Sequence, residues 1–236
     1  MKILILTTNT CHHNFYVHKL LKNFEDITVI EEKKITKPKY HVFHEFEIDR
    51  DNYEKKLWNK VISIPLKKVC KNYLICNSIN NLEIVNYVKK ENFDICLVFG
   101  TQKINNNLLF HLPFNAFNLH GGDPNYYRGL DSHLWSIWHL DTKGLKVCLH
   151  RLSSTLDDGD IFMMSPLNIK SIKFLYQLRS INTDLCVQLS LDLLNLLISK
   201  KKLKCNPQNK IGRYYTYMPS VLKSHCIENF KKMKLI

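Results

Sequence analysis

The sequence predicts an α/β protein with a mainly parallel, doubly wound sheet and helices on both faces. Two short apolar segments, 3–6 and 27–30, flank a predicted helix over about 14–24. This β-α-β order is typical of parallel strands joined by a crossover helix. The continuous apolar run over 94–100 indicates a central strand buried on both faces. Later apolar segments add strands at 116–119, 146–152 and 161–164.

The remaining elements follow from apolar periodicity and from the turn-forming residues between them. Loops are expected over 7–13 and 31–50. Further helices are predicted over 51–61, 82–91, 132–139 and 183–199, with a strand at 73–76. After residue 204 the chain is polar and is expected to be irregular. We therefore predict one large domain over 1–204 and a C-terminal tail over 205–236 that supplies a short strand at 213–217 or a dimer contact.

Composition places few limits on function. Hydrophobic content of 45% and charged content of 23% are ordinary globular values. The net charge of +13 favours anionic partners, such as nucleic acid, a nucleotide diphosphate or a polyglutamylated cofactor. No apolar run is expected to be long enough to span a bilayer, and residues 1–6 have too short an apolar core for a signal peptide. We expect a cytoplasmic protein with no membrane partner.

The cysteines do not suggest a metal site. All eight are scattered singly, with no Cys-x-x-Cys pair, so we interpret them as reduced thiols. Cys11, His12 and His13 are adjacent on one predicted loop, and adjacent residues rarely supply the four converging ligands that zinc requires. We expect no metal. The absence of glycine from 7–13 also argues against a dinucleotide cofactor.

Polar side chains stand where two of the predicted strands end. Asn118 and His120 alternate at the end of one strand, so they lie on the same face. His150 ends a second strand, and an acidic turn over 157–160 follows it. The carboxyl ends of strands in an open α/β sheet are where ligands bind, although a polar strand end with a satisfied histidine would give the same local pattern.

Taken together, these motifs resemble the folate-dependent formyltransferases, which have a Rossmann-like fold. The resemblance rests on Asn-Leu-His-Gly-Gly at 118–122, Tyr-Arg-Gly-Leu-Asp-Ser-His-Leu-Trp at 127–135, His150, and Asp-x-Gly-x-Ile at 157–161. The motifs are most similar to those of the N-formyltransferases that act on nucleotide-linked amino sugars, and the resemblance is specific over about residues 94–161. It implies a formyltransferase catalytic domain over 1–204.

The resemblance implies a substrate pair and a set of catalytic residues. The formyl donor would be N10-formyltetrahydrofolate, and the acceptor a dTDP-linked 4-amino-4,6-dideoxy sugar used for O-antigen, lipopolysaccharide or another surface glycan. Asn118 would stabilise the oxyanion, while His120 would either stabilise the oxyanion or take the amine proton. Asp157 would raise the basicity of His120 or relay the proton through water, and His150 would support the aspartate turn.

The resemblance also places the two binding regions. Residues expected to bind the folate are Phe99, Gly100, Thr101, Gln102, Lys103, Asp157, Asp158 and Gly159. Residues expected to contact the acceptor are His12, His13, Tyr126, Tyr127, Arg128 and Asp131. Arg128 has two readings, because a guanidinium can bind a diphosphate bidentately or can fasten a loop through backbone carbonyls.

Two other functions fit part of the pattern. A methionyl-tRNA formyltransferase would suit the basic charge, but that enzyme normally carries a C-terminal barrel of roughly a hundred residues, the size of an ordinary domain, and too little chain follows the long helix. A non-catalytic nucleotide-binding module on the same fold would not need Asn118, His120 and Asp157 together. We expect no nucleic-acid partner, and a homodimer is the expected assembly because dimers are the commonest oligomers.

Overall fold

The computed structural model describes residues 1–33 and 38–235. The strands are β1 (Ile3–Thr7), β2 (Ile27–Glu32), β3 (Asn72–Cys76), β4 (Ile95–Phe99), β5 (Ala116–Gly121), β6 (Tyr127–Gly129), β7 (Lys146–Arg151), β8 (Ile161–Pro166) and β9 (Arg213–Tyr215). The helices are α1 (Cys11–Leu21), α2 (Phe46–Trp58), α3 (Leu66–Val69), α4 (Leu82–Glu91), α5 (Asn106–His111), α6 (Ser132–Trp138), α7 (Leu178–Ile198) and α8 (Ser220–Met233).

In the described part of the chain, seven strands form one sheet in the order β3-β2-β1-β4-β5-β7-β8. The first five are parallel to their neighbours, and β7 and β8 are antiparallel. The predicted fold class is therefore confirmed. The strand order reverses between β1 and β4, and such a reversal opens a crevice at the carboxyl ends of the strands.

The central strands are buried because helices cover both faces of the sheet. Every residue of β1 and β4 is buried, as their continuous apolar runs predict. One face packs against α1 and α7 in a large cluster, and the other packs against α4 and α5 in a smaller one. Helix α4 has its predicted bounds: Ile84, Val85 and Val88 are buried, and Asn92 ends the helix in the left-handed region.

Helix α7 is longer and more apolar than the sequence analysis expected. The segment Leu175–Ile198 is long and apolar enough to cross a membrane, which corrects the expectation that no run reached that length. Its buried side, which includes Cys186, Leu193 and Leu194, belongs to the large cluster under the sheet. Packing against α1 and β7 therefore accounts for this apolar composition.

Several predicted loops contain helix. Helix α1 begins at Cys11, so His12 and His13 lie in a helix and not in the loop expected over 7–13. Helix α2 begins at Phe46, inside the region expected to be a loop over 31–50, of which 34–37 lie outside the described residues. The short helices α3 and α5 were not predicted, because four and six residues give too little apolar periodicity to recognise.

The C-terminal tail is more ordered than predicted. The expected strand is present as β9, which pairs in parallel with β6 in a separate two-stranded sheet. The expectation that the rest would be irregular is wrong, because α8 follows and its residues Cys226, Phe230 and Met233 belong to the large core cluster. The spacing of Leu222, Cys226, Phe230 and Met233 is a helical stripe that an abundance of lysine obscured.

Candidate active site

The predicted catalytic side chains lie at the carboxyl edge of the sheet, on the rim of a cavity of about 840 Å³. Strand β5 presents Asn118 and His120 on one face, two residues apart. Asp157 reaches the same place from the turn between β7 and β8. All three residues line the cavity, and the side chains of His120 and Asp157 are only 6% and 5% exposed.

The Asp157 carboxylate is the centre of this group. Its Oδ1 accepts a hydrogen bond from the Asn118 amide at 3.2 Å and lies 3.5 Å from His150 Nε2. Its Oδ2 accepts the backbone N–H of Gly129 at 2.8 Å and lies 3.5 Å from His120 Nδ1. One carboxylate therefore stands between two imidazoles, and the residues that hold it come from β5, β6 and β7.

Two backbone carbonyls fix how the imidazoles are protonated. His120 donates from Nε2 to the carbonyl of Tyr127 at 2.7 Å, and His150 donates from Nδ1 to the carbonyl of Arg151 at 2.8 Å. A carbonyl can only accept, so each ring turns its other nitrogen towards Asp157. His150 Nε2 can accept from the Asn118 amide at 3.2 Å. His120 Nδ1 faces only the carboxylate among its described hydrogen-bond and ion-pair partners, so it is the ring nitrogen that can take up a proton beside Asp157.

The surroundings keep Asp157 ionised. Burial alone would raise the pKa of this carboxyl. The neighbouring imidazoles, that of His120 before that of His150, and the Gly129 N–H outweigh that effect, so the pKa of Asp157 lies well below its usual range. The group therefore pairs a fixed negative charge with the imidazole of His120.

The carboxamide of Asn118 is committed to this network. Its Nδ2 lies 3.2 Å from both Asp157 Oδ1 and His150 Nε2, so both of its N–H groups point inside the site. One of them must be released before Asn118 can donate to an oxyanion. Catalytic hydrogen bonds often form only when substrate binds, so this geometry is compatible with that role.

The residues expected to bind folate divide into two groups. Those at the end of β4 and just after it, Phe99 to Lys103, line the cavity. Gly100 has a φ of +87°, and a Cβ there would lie 2.4 Å from the His13 ring, so only glycine fits. Among the described residues that line the cavity, Asp158 and Gly159 do not appear. Gly159 packs its Cα against the Arg151 carbonyl, where a Cβ would lie 1.8 Å from the oxygen.

Three residues expected to contact the acceptor, His12, His13 and Asp131, line the cavity. Both histidines are buried in α1, and hydroxyl groups of Thr8 and Thr10 bind their Nδ1 atoms. Burial lowers the pKa of His13 to about 3, and burial together with the His13 ring places that of His12 well below its usual value. The two rings are therefore neutral near pH 7.

The other three expected acceptor residues are not part of the described cavity lining. Tyr127 is buried and donates its hydroxyl to Asp141 Oδ2 at 2.9 Å. Tyr126 is 44% exposed and lies beneath the Lys210 ammonium, 3.6 Å from the ring centre. Arg128 is buried and donates from Nε to the Leu156 carbonyl at 2.9 Å, with a second bond from Nη2. Of the two interpretations of Arg128, the structure supports the one in which its guanidinium holds a loop through a backbone carbonyl.

No protein-family model matches the sequence, and no curated protein matches it. Solved structures, in contrast, do match this chain. Rv3404c of Mycobacterium tuberculosis matches 91% of this chain and 75% of its own, with a TM-score of 0.63 and 19% identity. An N-formyltransferase of Helicobacter canadensis matches 100% of this chain and 81% of its own, with a TM-score of 0.58 and 15% identity. The formyltransferase PseJ of Anoxybacillus kamchatkensis matches 92% of this chain and 86% of its own, with a TM-score of 0.54 and 17% identity. The chain has the formyltransferase fold.

The formyltransferase fold brings further residues to the cavity that sequence reasoning missed. Arg50, Arg179 and Asn182 line it from α2 and α7. Arg179 binds Glu54 through Nε and Nη2 at 2.7 and 2.6 Å, and Asp51 accepts from both arginines. Sequence reasoning placed the start of α7 at 183, which left Arg179 and Asn182 in an unassigned segment. No signal in the sequence marks Arg50.

Asn182 is unusual because part of its carboxamide is buried and unsatisfied. The residue is 7% exposed, and its Oδ1 has no hydrogen-bond partner among the described residues. It lies beside Gly121, where a Cβ would be 3.3 Å from this oxygen. The same space is bordered by His133, whose Nε2 donates to the Lys146 carbonyl at 2.7 Å. Buried polar groups in native proteins are normally paired, so this carboxamide is a candidate for contact with a substrate.

Within the described ranges, no three His, Cys, Asp or Glu side chains are grouped so that they could hold a metal ion. The residues that line the cavity fall into two chemically different sets, which we call its two lobes. One set comes from residues 98–104 and from the turn at 152–157, and apart from Lys103 and Asp157 its side chains are uncharged. The lobe between α1, α2 and α7 carries histidines, arginines and Asn182.

Proposed function

We propose that this protein transfers the formyl group of N10-formyltetrahydrofolate to the amine of a nucleotide-linked amino sugar. One observation carries the proposal: the side chains of Asn118 and His120 converge on the buried carboxylate of Asp157, at the rim of a cavity of about 840 Å³. A cavity of that size is in the range that holds a drug-sized ligand. Its two lobes suit two substrates that meet at the Asp157 group.

The folate would occupy the lobe between 98–104 and 152–157. The backbone of the segment after β4 would face the edge of a pterin, and Gly100 lets that backbone pack directly against the His13 ring. Lys103 lies in the same lining and is exposed, so its ammonium suits the glutamate end of the molecule. The Helicobacter enzyme was solved with folinic acid and PseJ with tetrahydrofolate, which supports a folate in this fold.

The chemistry needs a neutral amine, a group that accepts its proton and a donor to the developing oxyanion. When bound, the folate supplies the formyl carbon. His120 and Asp157 would accept the proton that leaves the amine, because Asp157 stays ionised and faces His120 Nδ1 at 3.5 Å, and would return it to N10 of the folate as the bond between N10 and the formyl carbon breaks. Asn118 turns one N–H from the network towards the oxyanion. No nucleophilic serine or cysteine is needed for direct transfer.

The acceptor would occupy the lobe between α1, α2 and α7. Arg50 and Arg179 are both ion-paired with Asp51, and the N–H groups that these pairs leave over would bind a diphosphate. Asn182 offers an unpaired carboxamide oxygen to the N–H or O–H groups of a sugar. His12 and His13, neutral and buried, add uncharged polar contacts. This lobe therefore has the groups that a nucleotide-linked amino sugar requires.

The finer assignment is a dTDP-linked 4-amino-4,6-dideoxyhexose, used in the cytoplasm for O-antigen, lipopolysaccharide or another surface glycan. The Helicobacter enzyme was solved with dTDP-3-aminofucose, and PseJ with UDP-4,6-dideoxy-4-formamido-L-AltNAc. These two ligands support a nucleotide-linked 3- or 4-amino sugar as the class. A homodimer, in which the tail over 205–236 contributes the contact, is the proposed assembly, and sedimentation would test it.

A coupled turnover assay tests the function. Purified protein is given N10-formyltetrahydrofolate and a panel of dTDP- and UDP-linked 3-amino and 4-amino sugars, and tetrahydrofolate release is followed by absorbance. We expect turnover on a dTDP-4-amino sugar with a formylated product by mass. Turnover on a UDP or 3-amino sugar alone would correct the finer assignment. Formylation of initiator methionyl-tRNA, with no turnover on any sugar, would overturn the proposal.

A further inference from the structure

The C-terminal segment 205–218 runs across both loops that hold the catalytic group. It starts beside β8, where Asn206 and Ile161 exchange two backbone hydrogen bonds at 2.8 and 2.9 Å. It then passes the turn that carries Asp157. It continues along the loop 123–131, which supplies the carbonyl bound by His120 and the N–H bound by Asp157.

Gln208 makes the contact with the aspartate turn. Its Nε2 donates to the backbone carbonyl of Asp157 at 2.9 Å and to that of Gly159 at 3.0 Å. Both partners are carbonyls, which can only accept, so the amide orientation is fixed. The Gln208 Oε1 is buried without a partner among the described residues. The two bonds to the turn are therefore the only hydrogen bonds of this carboxamide in the described structure.

The turn needs such support because Asp157 adopts a φ of +50°. A residue other than glycine is strained in this left-handed region, and the conformation persists only when its surroundings hold it there. Arg128 fastens Leu156 on one side, and Gln208 fastens Asp157 and Gly159 on the other. The direction of the Asp157 carboxylate depends on this backbone conformation.

The same segment also holds the other catalytic loop. Asn125 Oδ1 accepts the backbone N–H of Asn209 at 2.9 Å, and β9 pairs with β6. The Leu130 N–H donates to the Tyr215 carbonyl at 2.9 Å. A Cβ at Gly129 would lie 2.1 Å from the Tyr215 oxygen, so the segment packs tightly against the backbone whose N–H binds Asp157.

We propose that residues 205–218 complete the active site and that Gln208 is a positioning residue for Asp157. The inference rests on the proposed formyl transfer for its catalytic consequence. Gln208 does not contact substrate. It holds the left-handed turn so that Oδ2 of Asp157 faces His120 and the Gly129 N–H at the same time. A segment outside the sequence motifs thereby sets the geometry of the proton-accepting pair.

The test compares Gln208→Met with Gln188→Met. Methionine has nearly the shape of glutamine but cannot donate to the two carbonyls. Gln188 is an exposed residue of α7 that donates only to Asp192, so its variant controls for the substitution itself. In Gln208→Met we expect kcat to fall at least about tenfold, a modest share of what an acid–base group contributes, while the acceptor KM stays within about threefold. The Gln188 variant should match the parent protein.

A second readout separates positioning from stability and needs no substrate. The carboxyl carbon of Asp157 is followed by NMR as the pH is lowered. In the parent protein we expect it to stay at its ionised position wherever the protein remains folded. In Gln208→Met it should begin to titrate inside that range, because the carboxylate leaves His120 and Gly129. An unchanged titration and unchanged kcat in a folded Gln208→Met protein would overturn the proposal.

A measurement on the parent protein covers the case in which Gln208→Met does not fold. The side-chain amide protons of Gln208 should exchange with solvent at least about tenfold more slowly than those of Gln188, since two hydrogen bonds protect them. Equal exchange would overturn the proposal. If the parent protein shows no formyl transfer but these two NMR results hold, the proposed function fails and the role of Gln208 in placing Asp157 stands.

Discussion

Oδ2 of Asp157 lies 3.5 Å from Nδ1 of His120, while Nε2 of the same ring donates to the Tyr127 carbonyl at 2.7 Å. The imidazole is thus held at both nitrogens in a buried site, one by a backbone carbonyl and one by a carboxylate. This relationship defines the proton-accepting group in the proposed reaction. It also makes the effect of altering each partner predictable.

Asn118→Ala, His120→Asn and Asp157→Asn are each expected to lower kcat at least about a hundredfold, the loss typical of one oxyanion donor or acid–base group. Steady-state turnover with saturating folate and acceptor measures the effect. Asp158→Asn is the matched control, because Asp158 is adjacent in the turn and is not among the described cavity-lining residues. Near-normal turnover in any of the first three would remove that residue from the catalytic group.

Asn182→Leu is expected to weaken acceptor binding without destabilising the protein. Oδ1 of Asn182 is buried without a partner, so replacing the carboxamide by an apolar group of similar size is neutral or stabilising. The acceptor KM should rise about tenfold, the value of one hydrogen bond, while the folate KM stays unchanged. Thermal unfolding and the two KM values test this. A fall in Tm with an unchanged acceptor KM would show that Asn182 is only structural.

Arg128→Lys is expected to loosen the aspartate turn. Lysine cannot make the two bonds that Arg128 gives to the Leu156 carbonyl. Because the turn borders the proposed folate lobe and carries Asp157, kcat should fall and the folate KM should rise, each several-fold, with the acceptor KM unchanged. Lys210→Met serves as a control cation in the same region. If only the acceptor KM rises, the result would instead indicate that Arg128 binds the diphosphate of the acceptor.

His133 is expected to make the protein less stable as the pH falls from neutrality. Burial lowers the pKa of this imidazole to about 4, against about 6.5 in the unfolded chain. The unfolded state therefore binds a proton first, and stability present above pH 6.5 is lost as the pH falls towards 4. His13 acts in the same direction.

The His133→Gln variant isolates that contribution, since glutamine can still donate to the Lys146 carbonyl. Urea unfolding at pH 7 and pH 5 gives the free energy of unfolding for both proteins. The difference between the two pH values should shrink by up to about 2 kcal/mol in the variant, the value of one proton over the interval between pH 6.5 and pH 5. An unchanged difference would show that His133 is protonated to the same extent in both states.

The sequence predicted the sheet and indicated which of Asn118, His120 and the nearby carboxylates would lie together, because both depend on short-range patterns. Two-residue alternation placed Asn118 and His120 on one face of a strand. The family spacing from His150 selected Asp157 among three carboxylates, and the structure brings that residue to the others. The continuous apolar runs of β1 and β4 similarly required a doubly covered sheet.

The cavity lining from α2 and α7 and the tail could not be predicted in the same way. Arg50, Arg179 and Gln208 reach the site through contacts between segments far apart in sequence, which no local periodicity records. Tyr127 was expected to face a ligand, and its hydroxyl instead binds Asp141. Helix α8 did have a recognisable sequence signal, because its apolar residues are spaced four, four and three positions apart, as in a helix with one buried face.

The most direct test of the proposed catalytic group is a single-turnover experiment with isotopically labelled N10-formyltetrahydrofolate and a dTDP-4-amino sugar. Excess parent protein should place the label in an amide of the sugar, and Asp157→Asn should bind both substrates but transfer the label at least about a hundredfold more slowly. Label transfer at the parent rate by Asp157→Asn, or no transfer to any nucleotide-linked amino sugar by the parent protein, would contradict the account.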